Sequence, residues 1–298
     1  MDNLNTRYMT IALTLSSGTF SNGTTTKYIY ANSGVGYLDA ECVITNAIGQ
    51  LNNTAYINIC GMTLDDVNTF TRANLGNKNQ LITDNQVDIY AGYDLNNNGF
   101  PPLVYTGQVR TSAPDFNNPD RPFNIISMQT LIAQNINVLP VNPTGQMALD
   151  DLFRTIIKNL PYNYTYQGVN VTGYAYNPIY FGDPISQLKN ATNDYGYHYV
   201  IDRKNILIAL KGQPLTLKTY KINSDNGMLG YPLVEEFGIS VRVRFNPLIS
   251  IGQLINVTSS FEFANGDWYI NAMEHVLQNK KSKWESILKL NRYFGVPA

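Results

Sequence analysis

A chain of 298 residues is long enough to bury sizeable cores without help from disulfides or metals. Charged residues make up only 14%, against a usual share of about a quarter, and 21 Lys plus Arg stand against 22 Asp plus Glu. The near-neutral balance excludes the basic footprint of a dedicated nucleic-acid or anionic-membrane binder, and 44% hydrophobic with 12% aromatic residues excludes a disordered chain.

Polarity in this chain comes mainly from amides and hydroxyls, since Asn is its commonest residue. The first ten residues hold no cationic segment followed by an apolar run. No stretch approaches the ~18 uninterrupted apolar residues of a membrane span, so a soluble protein made in a reducing cytoplasm is expected.

In chain order, the first 130 or so residues read as short strands. Tyr8 to Leu15, Ala55 to Ile59 and Gln86 to Tyr90 alternate apolar with polar residues. One short helix interrupts them, with Thr63 as cap, Asp66 in its first turn and an apolar stripe of Leu64, Val67 and Phe70. Val138-Leu139-Pro140-Val141-Asn142-Pro143 then reads as a linker. Beyond it Leu149, Leu152, Phe153, Ile156, Ile157 and Leu160 follow helical spacing until Pro161. A second helix is bounded by Asp183, Pro184 and Gly196, with Ile185 and Leu188 inward. Strands Tyr197 to Ile201 and Ile206 to Leu210 flank a polar turn at 202–205.

From about residue 213 strands return. Ile239, Val241, Val243 and Phe245 alternate with Ser240, Arg242 and Arg244, and a hairpin from Trp268 to Tyr293 turns at 278–282. The layout is mainly β with a smaller α/β part, divided at 1–137, 138–212 and 213–298. The two β parts share a rough internal pattern. Strand Val87 to Tyr90, Asn98-Gly99, strand Leu103 to Val109 and strand Phe123 to Met128 lie beside strand Leu254 to Phe263, Asn265-Gly266, Trp268 to Val276 and Trp284 to Leu290.

Chemistry-bearing constellations are scarce. Cys42 and Cys60 with His198 and His275 make no spaced metal cluster, and the cysteines read as buried thiols. Glu235-Glu236 are strand neighbours that point to opposite faces, poor geometry for shared acid/base work. Asp94-Leu95-Asn96-Asn97-Asn98-Gly99 opens like a calcium loop, but Tyr105 stands where the closing carboxylate belongs, so a polar hairpin tip is favoured. His198 sits among Tyr195, Tyr197 and Tyr199, as an aromatic-packed imidazole would. Lys280, Lys281 and Lys283 form the densest basic cluster, suited to solvating a hairpin tip. No phosphate loop or nucleophile elbow occurs. No catalytic, cofactor or metal residue is therefore assigned.

Ala55 to Thr63, Val87-Asp88-Ile89-Tyr90-Ala91-Gly92-Tyr93 and Leu103-Val104-Tyr105-Thr106-Gly107-Gln108-Val109 carry a resemblance, with Gly238 to Val241, Asn246-Pro247-Leu248-Ile249, Gly252-Gln253 and Gly266-Asp267-Trp268-Tyr269-Ile270. In order and spacing these resemble the baseplate hub proteins of contractile-tailed bacteriophages, related to the hub module of type VI secretion spikes. The resemblance implies two small β-barrel modules flanking an α/β domain, with family-like structural positions at Gly92, Gly107, Pro247, Gly252, Gly266 and Trp268. It implies a non-enzymatic virion protein of the tail baseplate, assembled in the host cytoplasm. A homotrimer would adapt the hexameric tail tube to a trimeric central spike, touch other baseplate proteins, and pass DNA without binding it specifically. A tail module that binds receptor or carbohydrate, and a cell-wall hydrolase, are the alternatives.

Overall fold

Period-two alternation becomes strand wherever one face can be buried, and this rule organises most of the chain. The structure, a computed structural model, describes residues 6–49, 53–75 and 84–293. The first β-unit contains β1 (Tyr8–Thr14), β2 (Thr26–Tyr30), β3 (Asp39–Ala47) and β4 (Thr54–Cys60). After helix α1 (Leu64–Leu75) come β5 (Gln86–Gly92), β6 (Leu103–Pro114) and β7 (Phe123–Met128). Their lateral order is β2-β1-β5-β6-β7-β4-β3, all antiparallel.

Helix α1 starts as its first turn predicts. The Asp66 amide donates to Thr63 Oγ1 at 3.3 Å, and Lys27 of β2 pairs with the Asp66 carboxylate at 3.1 Å. Val67 and Phe70 are buried, but Leu64 is 61% exposed. The expected stripe is narrower than three residues, because the helix meets the sheet only beyond its first turn.

The middle part holds β8 (Gln146–Ala148), α2 (Leu149–Lys158), β9 (Thr165–Val169), β10 (Tyr174–Tyr176), α3 (Pro184–Asp194), β11 (Tyr197–Asp202) and β12 (Asn205–Leu210). Helix α2 buries Leu149, Leu152, Phe153, Ile156 and Ile157, as its spacing requires. Asp183 caps α3 by accepting from the Ile185 and Ser186 amides at 3.0 and 2.9 Å. Strands β11 and β12 form the expected hairpin. β9, which local pattern does not announce, adds in parallel to β12.

The second β-unit contains β13 (Thr216–Ile222), β14 (Leu233–Glu235), β15 (Gly238–Arg244), β16 (Gln253–Val257), β17 (Gly266–Gln278) and β18 (Trp284–Arg292). Order runs β14-β15-β18-β17, with β16 on the first half of β17 and β13 on β16. The strand expected from Leu254 to Phe263 stops at Val257. Asn265 Oδ1 there accepts from the Ser259 amide at 2.6 Å, and residues 262–264 form a single 3-10 turn.

The second half of β17 pairs antiparallel with β3, so both units belong to one thirteen-stranded sheet. Among the described residues neither unit closes on itself as a separate barrel. In the first unit the outer edge of β3 is taken by β17, and in the second no described strand takes the outer edge of β14.

Candidate functional site

A catalytic centre needs titratable groups gathered and tuned. Among the described residues no three His, Cys, Asp or Glu side chains stand where they could hold a metal ion. Burial drives the His198 pKa down to about 4 and that of His275 down to about 3. Both are therefore neutral at pH 7. His275 Nδ1 lies 2.7 Å from Ser286 Oγ, and the Phe245 ring meets its edge with centroids 5.1 Å apart. Cys42 is buried and Cys60 half-buried, and both are free thiols. Glu235 pairs with Lys289 at 3.3 Å, while the loop from Asp94 to Gly99 is a turn closed by the Asn96 amide on Phe100 O at 2.7 Å.

What the molecule does build with care is a repeat. Strands β3-β4-β7-β6-β5 and β14-β15-β18-β17-β16 have the same lateral order and the same succession along the chain. Their fourth strands in chain order both break register against the fifth, β6 against β7 between Val109 and Thr111, β17 against β18 between Ile270 and Ala272. Burial keeps phase as well, with Ala55, Ile57 and Ile59 of β4 inward as are Ile239, Val241 and Val243 of β15. The units diverge at their far side, where β1 is antiparallel to β5 but β13 is parallel to β16.

The two units are locked along the β3–β17 seam. Asn279, buried beyond the end of β17, accepts from the Ala40 amide at 2.9 Å and donates to Leu38 O at 2.8 Å. Arg7 donates to the carbonyls of Gln278 and Lys281 at 3.0 and 2.6 Å, and Lys281 pairs with Glu41. The lysine-rich tip is thus pinned to the first unit rather than merely solvated. Leu277, Trp284 and Phe245 of the second unit pack into the first unit's core. Arg242, expected on the outer face, meets Glu285 of its own chain through two bonds at 3.0 and 2.7 Å. The α/β part is held by Asn53, which donates to Gln129 Oε1 at 2.9 Å and to Ile201 O at 2.7 Å.

The six family-like positions are spread through this frame, not gathered. Gly92 ends β5, where a Cβ would stand 3.0 Å from Pro102 Cδ. Gly107 lies in β6 against Ser127 Oγ, 2.8 Å from where its Cβ would be, and against the Tyr105 hydroxyl. Pro247 is half-buried in the β15–β16 connection, lining a groove shared with Tyr93 and Pro102 of the first unit. Gly252 has φ +74° under Leu215, and Gly266 opens β17 beside Arg292. Trp268 is buried, donates to Ala264 O at 2.9 Å, and carries the Arg292 guanidinium 4.9 Å above its ring.

Sequence reasoning missed the exposed apolar surface. On the β14–β15 hairpin Tyr231, Leu233, Val234 and Phe237 are 72, 65, 58 and 78% exposed. Tyr28 and Tyr30 of β2 cluster with Phe100, and Tyr176, Ile179 and Phe181 stand out from the α/β part. Phe237 within a tight hairpin was the signal available, since an aromatic residue at a solvent turn has no core to fill. Contiguous exposed apolar surface of this kind marks sites of contact with proteins, ligands or membranes.

Comparison with known proteins agrees with such a scaffold. The tail protein from Neisseria meningitidis MC58 superposes with a TM-score of 0.60 at 9% identity, covering 95% of this chain and 96% of that one. The 43 kDa tail protein of prophage MuSo2 from Shewanella oneidensis gives a TM-score of 0.60 at 11% identity, with the same coverage. The E. coli c3393 protein, a type VI secretion system component, gives 0.55 at 8% identity over 88% of this chain and 76% of that one. No curated protein matches the sequence. The family Baseplate hub gp41 matches residues 25–289. A repeated β scaffold with apolar outer edges and nearly the whole chain matched by one family lead to one conclusion: this chain is a member of the Baseplate hub gp41 family, a structural protein of the phage tail.

Proposed function

We propose that three copies of this chain form the hub ring of a contractile tail baseplate. Residues 1–137 and 213–298 act as two barrel-like modules on either side of the α/β domain at 138–212. Six such modules match a hexameric tail tube, while the three-fold symmetry of the ring matches a trimeric central spike protein. The observation that carries this proposal is the repeated five-strand order with its matching register break. A three-fold object and a six-fold tube share no equivalent contact unless each subunit presents two similar modules.

The spike partner is supported by the likeness to the E. coli protein from a type VI secretion system. Other baseplate proteins surround the ring, which assembles in the host cytoplasm and enters the virion. Its role is structural rather than catalytic, and its channel passes DNA without holding it, in keeping with 21 cationic against 22 anionic residues. Electron microscopy of isolated tail tips tests this by counting copies. A closed ring of three is expected; six copies, or a single copy at a fibre end, would overturn it. Exposed Tyr28 and Tyr30, clustered with half-buried Phe100, favour carbohydrate binding as a second reading, tested by loss of glycan binding in Tyr28→Ala.

A further inference from the structure

We infer that the β14–β15 hairpin is the element by which one copy docks onto the second half of β6 in the next copy. The inference rests on the trimeric ring proposed above and assigns its inter-subunit joint. Inside the chain the corresponding joint is visible. Strand β3, the edge of the first unit, lies along Ala272–Gln278 of β17. In the repeat β14 occupies the place of β3, and β6 occupies the place of β17. Applying the same contact once more carries β14 out of its own copy and onto residues 110–114 of a neighbour. Such a contact is head-to-tail, and a head-to-tail contact closes into a ring when its rotation permits.

The hairpin has the chemistry for this. β15 takes one edge of β14, and no strand among the described residues takes the other. Tyr231, Leu233, Val234 and Phe237 present a run of exposed apolar side chains there. Charge is complementary as well, because exposed Glu236 stands on the hairpin and exposed Arg110 on β6.

The joint between copies differs from the joint within a copy in one physical respect. Pro232 immediately precedes β14 and Pro114 ends β6, and neither has an amide to donate. β14 is also only three residues long, against nine for β3. The contact between copies is therefore made mainly by side chains. Proline-blunted edges do not extend into open-ended sheets.

The test uses the full chain with Glu235→Cys and Ala113→Cys, the pair that corresponds to Thr45 and Glu274 in the joint within the chain, in a Cys60→Ser background, incorporated into tails. Mild oxidation is expected to yield a covalent trimer on non-reducing gels, with neither single variant cross-linking. Trimeric hubs without cross-links would overturn this joint and leave the ring standing. Cross-linked ladders beyond three would overturn the closed ring itself. As a second measurement, Leu233→Ser/Phe237→Asp, both at exposed positions, should leave the melting temperature within about 2 °C. The same variant should lower the yield of assembled tails at least tenfold, and an unchanged yield would refute the assignment.

Discussion

Replacing Leu277 by Ala tests whether the two β-units are energetically one body. Leu277 belongs to β17 of the second unit, yet it is fully buried in the first unit's core, opposite Cys42 of β3 and beside Trp284. The substitution removes three carbons, which at ~0.8 kcal/mol each is about 2.4 kcal/mol of lost transfer free energy. A cavity in so closed a site adds to this, giving a destabilisation of about 3–4 kcal/mol within the usual range for Leu→Ala. The chain carries its own reporters. Trp284 lies in the first core and Trp268 in the second, so Trp268→Phe and Trp284→Phe each leave one fluorophore. Urea unfolding followed by Trp284 in the Trp268→Phe background should shift by the full amount. With Trp268 as the reporter, the shift should be of similar size, because the β3–β17 seam transmits it. A Trp284 transition that moves by less than about 0.5 kcal/mol would refute the packing of Leu277 described here. A large shift seen only by Trp284 would refute the coupling of the units.

Acid should weaken the fold through His275. Its pKa falls to about 3 in the folded chain because burial opposes charge, and the unfolded chain binds the proton near pH 6.5. Its contribution is thus intact above about pH 6.5 and lost as pH falls toward 3, amounting to about 2 kcal/mol between pH 7 and 5. His275→Gln should flatten that slope in urea titrations, and an unchanged slope would count against the assignment. Gly107→Ala should cost about 1–3 kcal/mol in unfolding free energy, since its Cβ would collide with the paired hydroxyls of Tyr105 and Ser127. Stability equal to the parent would contradict the close approach. Duplex DNA should bind with a Kd weaker than ~1 μM in ~0.15 M salt by fluorescence anisotropy, because the near-neutral chain releases few counterions. Submicromolar affinity with a steep salt slope would contradict passage without retention.

Joining two similar units in one chain changes what their edges have to do. Each unit has an outer strand that seeks a partner, and an exposed long edge is an aggregation hazard. In the first unit β3 satisfies this within the chain, with Asn279, Arg7 and the Lys281–Glu41 pair fixing the ends of the seam. In the second unit the edge is shortened to β14 and flanked by proline. The edge filled within the chain and the edge left open are therefore made from the same strand position by different sequences.

Local physical chemistry was legible in the amino acids alone. Thr63 and Asp66 announce α1, Asp183 and Pro184 announce α3, and Pro161 marks the end of the α2 pattern, because caps and proline act within one turn. Alternation gave the buried face of β4 and β15, and even three strands of the repeat. It did not give the edges. A period of two says which side of a strand faces the core, never which strand lies beside it. So the β3–β17 seam, the parallel pairing of β9 with β12 and the departure of β13 from the pattern of β1 were settled only in three dimensions. β1 shows the same limit, since Thr10 and Ala12 are buried along with Ile11 and Leu13 between strands β2 and β5. Long-range pairing chose among patterns that were locally equivalent, and in doing so it decided which apolar edges stayed exposed.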